Sequence, residues 1–149
     1  GLCGQMGSNG IEKAIKQTYK ELPSLLGYKE SIHQKVLEHY LHKHVPDCSI
    51  SKEVTITYKT SDGFVYAYGR MDLVLETLEE YIILELKANI NFRAKQLECI
   101  AQLSRYMVHA QSEKKVRGML IVFGNHEPIV RYATLSTEKT VCMSPVYSK

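Results

Sequence analysis

Tyr81-Ile82-Ile83-Leu84-Glu85-Leu86-Lys87 is the stretch on which the reading of this chain turns. Its apolar residues fall on both parities, the pattern of a strand covered on both faces of a sheet. The acid inside it, Glu85, is an exception in a buried setting and needs a reason. Working back, Thr77-Leu78-Glu79-Glu80 interrupts the apolar pattern, and Phe64–Leu75 forms a second run. That run is reached from Glu53–Thr60, where Val54, Ile56 and Tyr58 alternate, through a Ser61-Asp62-Gly63 turn. Further back, Ile11–Leu22 and Leu25–His44, separated by Pro23 and closed by Pro46, read as helices. Forward, Arg93–Ala110 carries Leu97, Ile100, Leu103 and Met107 at helical spacing. Gly118–Phe123 then reads as a short buried strand and Ile129–Leu135 as one more. The order helix, three-stranded meander, helix, strand predicts an α/β domain with a mixed central sheet flanked by helices.

The length of 149 residues fits one domain, and 44% hydrophobic with 23% charged residues excludes the disordered and fibrous classes. The fold is assigned to residues 11–149. The Gly/Ser-rich opening Gly1–Gly10 is set aside as a mobile segment, in part a cloning remnant. A formal charge of +3 is too small to identify a nucleic-acid binder without knowing where the charges lie. Cys3, Cys48, Cys99 and Cys142 lie far apart with no C-x-x-C pair, which argues for free thiols rather than a zinc knuckle or disulfide framework. No apolar run is long enough to span a membrane or to serve as a signal peptide, so an intracellular location, cytoplasm or nucleus, is expected.

A turn centred between Leu78 and Glu79 pairs residues whose numbers sum to 157, which sets Asp72 opposite Glu85. Directly opposed side chains project from one face about 5 Å apart. Glu85 and Lys87 share that face, whereas Ile82, Leu84 and Leu86 point to the other. Two carboxylates held close repel unless a cation intervenes, and hard oxygen ligands suit Mg²⁺ or Mn²⁺. Such an ion activates water and offsets charge on a phosphate, with a neighbouring ammonium helping to hold the nucleophile; these are the needs of phosphodiester hydrolysis. The competing reading is a surface hairpin carrying an ordinary Glu/Lys pair, and the apolar flanks of Glu85 weaken it.

Helical-wheel angles place Leu26, Leu37 and Leu41 within about 40° of Glu30, with His33 about 60° away on the same side. Glu30 therefore faces the core and needs a partner, either the acid cluster or a basic residue at the core edge. Gln102 and Tyr106, one helical turn apart, border the apolar arc of Cys99, Ile100 and Leu103 and can look toward a groove.

These residues, in this order, resemble the PD-(D/E)XK nuclease superfamily and within it the small GxxExxY proteins. The likeness runs from Gly27 to about Phe123. It comprises Gly27-x-x-Glu30-x-x-His33, Arg70-x-Asp72-Leu73-Val74, Glu85-Leu86-Lys87-Ala88, and the Gln102-Leu103-x-x-Tyr106 pattern shared with RecB-like nucleases. The resemblance implies an αβββαβ restriction-endonuclease-like core and a metal-dependent nuclease, with DNA placed ahead of RNA as substrate. By resemblance, Asp72, Glu85 and the backbone carbonyl of Leu86 would ligate Mg²⁺ or Mn²⁺, with Glu30 an outer or second-metal ligand. Lys87 would position the attacking water, and Gln102 and Tyr106 would line the site. Two departures stand out: Met71 precedes Asp72 with no proline ahead of it, and His33 stands where tyrosine is expected, a substitution that puts a hydrogen-bonding and metal-binding ring there.

His33 is expected to contact Glu30 or the metal cluster, and together with Arg70, Arg93, Lys95 and Arg105 it is assigned to the substrate-binding set. Lys114, Lys115 and Arg117 are further candidates for phosphate contacts. His39, His42 and His44 scatter around their helix and do not read as a zinc site. The alternative to an enzyme is a nuclease-fold module that binds nucleic acid or assembles without turnover. A homodimer, which would let two sites address two strands, is left open.

Overall fold

The computed structural model describes residues 2–22, 27–124 and 126–144. Its elements are α1 (Leu2–Glu21), α2 (Glu30–His44), β1 (Ser49–Lys59), β2 (Val65–Glu76), β3 (Glu80–Ala88), α3 (Phe92–His109), β4 (Lys115–Phe123), β5 (Ile129–Leu135) and β6 (Val141–Met143). The six strands form one sheet in chain order, with β3 and β4 parallel and every other pair antiparallel. This is the mixed sheet flanked by helices that the sequence implies.

β3 and β4 are covered on both faces, which is why their apolar runs are nearly continuous. On one side Leu73, Leu75, Ile82, Leu84, Leu86, Ile121 and Phe123 pack with Ile11 and Ile15 of α1 and Leu37 and Leu41 of α2. On the other, Val74, Ile83, Leu120 and Val122 meet Cys99, Leu103, Tyr106 and Met107 of α3. Each fully buried aliphatic side chain contributes about 1.5–3 kcal/mol. Gly118 lets α3 lie close, because a Cβ there would come 2.6 Å from the Met107 sulfur. Leu97, expected in the apolar repeat of this helix, is 82% exposed; the buried stripe runs instead through Cys99, Leu103, Tyr106 and Met107.

Two boundaries differ from expectation. The first helix begins at Leu2 rather than Ile11, so residues 2–10 are helical. Gly10 is buried, and a Cβ there would lie 2.6 Å from Val45 Cγ1 and 2.7 Å from the His44 carbonyl oxygen; glycine here permits the close packing of α1 on the end of α2. The second helix starts at Glu30, not Leu25, since Gly27 takes φ +58 and Lys29 is extended. Leu25 and Leu26 lie outside the described residues.

The β1–β2 hairpin changes faces partway along. Ile50, Leu73 and Leu75 pack on the α1/α2 side, whereas Val54, Ile56 and Met71 pack on the α3 side. The switch falls at Glu53, which has φ +52, and at Asp72; neither appears in the ladder between Lys52↔Leu73 and Val54↔Met71. A second irregularity follows, with Ile56 opposite Gly69 but Thr57 opposite Ala67, leaving Tyr68 as the extra residue of a β-bulge.

Candidate active site

β2 and β3 pair as Leu73↔Leu84, Val74↔Ile83, Leu75↔Ile82 and Glu76↔Tyr81. This is the register that places Asp72 level with Glu85, but backbone pairing stops one step short of them. Where the strands part, the Leu86 N–H donates to Asp72 Oδ2 at 2.8 Å, so a side chain replaces the missing main-chain acceptor. Gln34 of α2 donates through Nε2 to the Asp72 carbonyl oxygen at 3.1 Å and holds the turned backbone from the other side. The face switch thus presents the Asp72 carboxylate at the end of the β2–β3 ladder.

Glu85 is 2% exposed and its carboxyl is hydrogen-bonded to that of Asp72. Burial pushes the Glu85 carboxyl up to about 10, the hydrogen bond and negative charge of Asp72 add to the shift, and Lys87 opposes it. One proton between two acids is the metal-free answer to their repulsion. It still leaves Glu85 Oε2 buried with no hydrogen-bond partner. A buried carboxyl oxygen left without a partner is a costly feature, and a cation would satisfy it while displacing the shared proton.

Glu30, the first residue of α2, is half-buried and accepts a hydrogen bond from the Ala88 N–H; burial and Asp72 raise its carboxyl above the ordinary range, against Lys87 and that hydrogen bond. Asn89 ties the same corner together: at φ +59, it donates from its side chain to the Tyr28 carbonyl at 2.7 Å and from its backbone to Phe123 at 3.0 Å. Three carboxylates and one lysine therefore share a local field at the C-terminal end of β3. Among the described residues, however, no three His, Cys, Asp or Glu side chains stand ready as a ligand cluster. Asp72 and Glu85 face each other, and Glu30 is engaged with Ala88. The donor set fits a hard divalent ion held between Asp72 and Glu85, with Glu30 near enough to feel it.

Tyr106 is buried, and its hydroxyl accepts from Gln102 Nε2 at 3.0 Å. Its ring lies on Gly69, where an added Cβ would come 2.8 Å from the ring. Cys99, one turn before Gln102 and Leu103, is buried near Glu85 and Lys87, and burial raises its thiol, so it is not an activated nucleophile.

His33 lies on the core side of α2. It is 5% exposed, its Nδ1 donates to the Lys29 carbonyl at 3.0 Å, and its ring stacks on Phe123 at 4.7 Å. Burial lowers its pKa, favouring the neutral ring. Among the described residues its hydrogen bond runs to Lys29 and its ring contact to Phe123, and so little exposure leaves little surface for a substrate. Arg70, Arg93, Lys95 and Arg105 are exposed, Lys95 lying 3.8 Å from Glu98. Lys114 and Arg117 are not available to phosphates as expected: Lys114 clasps Glu76 and the Thr77 carbonyl, both at 2.9 Å, and Arg117 pairs with buried Glu80 at 2.5 Å.

Gln34, Asn89 and Gly69 escape the sequence reading, although signals exist for each. Gln34 stands four residues after Glu30 on the same helix face, Asn is the residue that best tolerates positive φ after glycine, and an isolated Gly in a strand marks a bulge or a close approach.

The family model of the PD-(D/E)XK nuclease superfamily matches residues 6–132, and the chain belongs to that superfamily. Curated protein sequences give no match. Among solved structures, the protein SSO0001 is similar at a TM-score of 0.55 and 19% identity, over 93% of this chain and 64% of that one, a likeness of fold alone. No helix among the described residues is long and apolar enough to cross a membrane.

Proposed function

We propose that this chain is a divalent-metal-dependent nuclease of the GxxExxY-like, RecB-like branch, hydrolysing phosphodiester bonds of nucleic acid, DNA ahead of RNA. The single observation that carries the reading is the Asp72–Glu85 pair, two carboxyls in contact with one buried oxygen unanswered. Asp72, Glu85 and the Leu86 carbonyl would hold Mg²⁺ or Mn²⁺, with Glu30 as the outer carboxylate. When bound, the ion supplies Lewis acidity that makes water a better nucleophile and offsets charge on the phosphate.

This chain's own residues do the rest. Lys87, two residues from Glu85 on the same strand, donates to the oxygen of the attacking water and to the phosphate as charge grows there. Gln102 and Tyr106 form the wall beside it, and exposed Arg70, Arg93, Lys95 and Arg105 draw in the phosphate backbone. A homodimer would give two such sites to two strands.

The test is incubation of labelled single- and double-stranded DNA and RNA with Mg²⁺, Mn²⁺ or chelator, with sedimentation measured on the same protein. Cleavage in Mg²⁺ or Mn²⁺ that stops with chelator is expected. Binding without cleavage of all four substrates would replace the enzyme with a binding module.

A further inference from the structure

Beyond Asp72 the β1–β2 hairpin leaves the sheet. β3 pairs with β2 only over Leu73–Glu76, whereas β1 follows β2 out to Lys59↔Val65. An isolated two-stranded ribbon is marginal in water, and this one is steadied at its base by Val54, Ile56 and Met71 packing with α3. Toward the tip that support gives way to rings. Tyr58 lies 5.5 Å from Tyr66, 6.4 Å from Tyr68 and 5.2 Å from His109 of α3, Tyr68 lies 5.1 Å from His109, and Phe64 stacks on Tyr66 at 5.9 Å. The outermost are open to solvent: Phe64 is 63% exposed, Tyr58 38% and Tyr66 37%, beside Val65 at 56%. A contiguous exposed aromatic surface on a projecting arm calls for an occupant.

Three observations point to the occupant. The arm starts at the acid pair: Tyr68 is four residues along β2 from Asp72, roughly 13 Å at strand rise, and between them Gly69 carries the Tyr106 ring. The cations around the arm are exposed, with Lys59 on β1, Arg70 on β2, and Arg105 one helical turn before His109. The edge strand itself discourages pairing with a second copy of the chain, because Lys52, Lys59 and the positive-φ Glu53 are features that blunt sheet edges. The arm therefore offers ring faces flanked by positive charge rather than an open backbone edge, the combination that holds single strands by stacking.

We propose, on the basis of the nuclease reading above, that the aromatic arm is a stacking platform for the unpaired bases of a single-stranded nucleic acid. Its rings hold the strand so that the backbone runs toward Asp72 and Glu85. The preferred substrate is then a single strand, or a duplex with a single-stranded end, rather than a blunt duplex.

The experiment is fluorescence anisotropy in chelator, where nothing is cut, with a labelled DNA strand, an RNA strand of the same sequence and a blunt DNA duplex. Phe64→Ala/Tyr66→Ala should weaken single-strand binding by roughly 5- to 150-fold for each base that loses its ring, while duplex binding through phosphate contacts holds. Tyr66→Phe, which keeps the ring, should bind as wild type does. Phe64→Ser alone, altering the most exposed ring, guards against a misfolded double variant and should also weaken strand binding. An equal loss on DNA and RNA marks the bases as the ligand. Strand affinity unchanged in the double variant overturns the platform, as does sedimentation showing that the variant breaks a homodimer while strand affinity stays put. A wild-type protein that binds strands through these rings yet cuts nothing in Mg²⁺ or Mn²⁺ removes the nuclease reading and keeps the platform. Cleavage of single strands that survives the double variant at wild-type KM removes the platform alone.

Discussion

The two ends of β3 each bury an acid, and they treat it in opposite ways. Glu80, at the start, is 8% exposed and is answered by Arg117 at 2.5 Å. Glu85, five residues on, is 2% exposed and meets a second carboxylate instead of a cation, with one oxygen unanswered. The first end is satisfied within the fold, so its charges serve stability. The second is satisfied only by a proton or by something from outside, and that separates a structural ion pair from a site.

The largest effect should come at the unanswered end. Lys87→Ala should keep ion binding, read by calorimetry with Mn²⁺, and lose roughly 100- to 10,000-fold in turnover. Glu85→Gln should lose both ion binding and cleavage yet leave the metal-free fold intact or firmer, since it replaces a carboxyl that already carries a proton. A Glu85→Gln protein that still binds Mn²⁺ as wild type does would erase the contrast between the ends.

At the satisfied end, Arg117→Ala strands a buried carboxylate and should cost about 3–5 kcal/mol in denaturant unfolding, with ion affinity unmoved. Smaller again is Gly69→Ala, whose Cβ would press the Tyr106 ring from 2.8 Å. Overpacking of that kind costs about 1–3 kcal/mol, and cleavage should fall with it if Tyr106 lines the site.

The last test is a pH dependence, read on the unanswered end without its ion. Glu85 holds its proton more tightly folded than unfolded, its pKa rising from 4.5 to about 10, so its contribution to stability is full below about 4.5 and is lost as pH climbs toward 10. Thermal melting in chelator should therefore show wild type losing ground to Glu85→Gln across that window. Saturating Mn²⁺ should reverse the trend, because the ion stabilises the deprotonated pair.

Much of this was legible in the sequence because strand geometry leaves few choices. Once the turn is centred at Leu78 and Glu79, side-chain alternation fixes that Ile82, Leu84 and Leu86 face one layer and Ile83 the other, as they do. Ile129–Leu135 has the bounds expected of it. What escaped depends on contacts far apart in the chain. The helical state of residues 2–10 is hidden by a Gly-rich composition, and the close approach of Gly10 to His44 and Val45 depends on a partner more than thirty residues away. The roles of Lys114 and Arg117 are set by Glu76 and Glu80, acids reached only after the chain crosses over. The spacing of His33 from Glu30 aims it at the acids, but its ring stacks on Phe123, ninety residues away. β6 has only three residues, too few for any periodicity to show.

The strand order has a consequence for how the molecule assembles in time. Every strand pairs with its neighbour in the chain, and the joints differ in how far apart their first partners lie: Glu76 meets Tyr81 five residues on, whereas Glu80 meets Lys115 thirty-five residues on. Closing the longer loop costs about 1.7 kcal/mol more in chain entropy, which predicts that the parallel seam between β3 and β4 forms after the β2–β3 hairpin. Asp72, Glu85 and Lys87 sit at the joint with the shorter loop, so pulse-labelling hydrogen exchange during refolding should protect the β2–β3 amides no later than those of the β3–β4 seam.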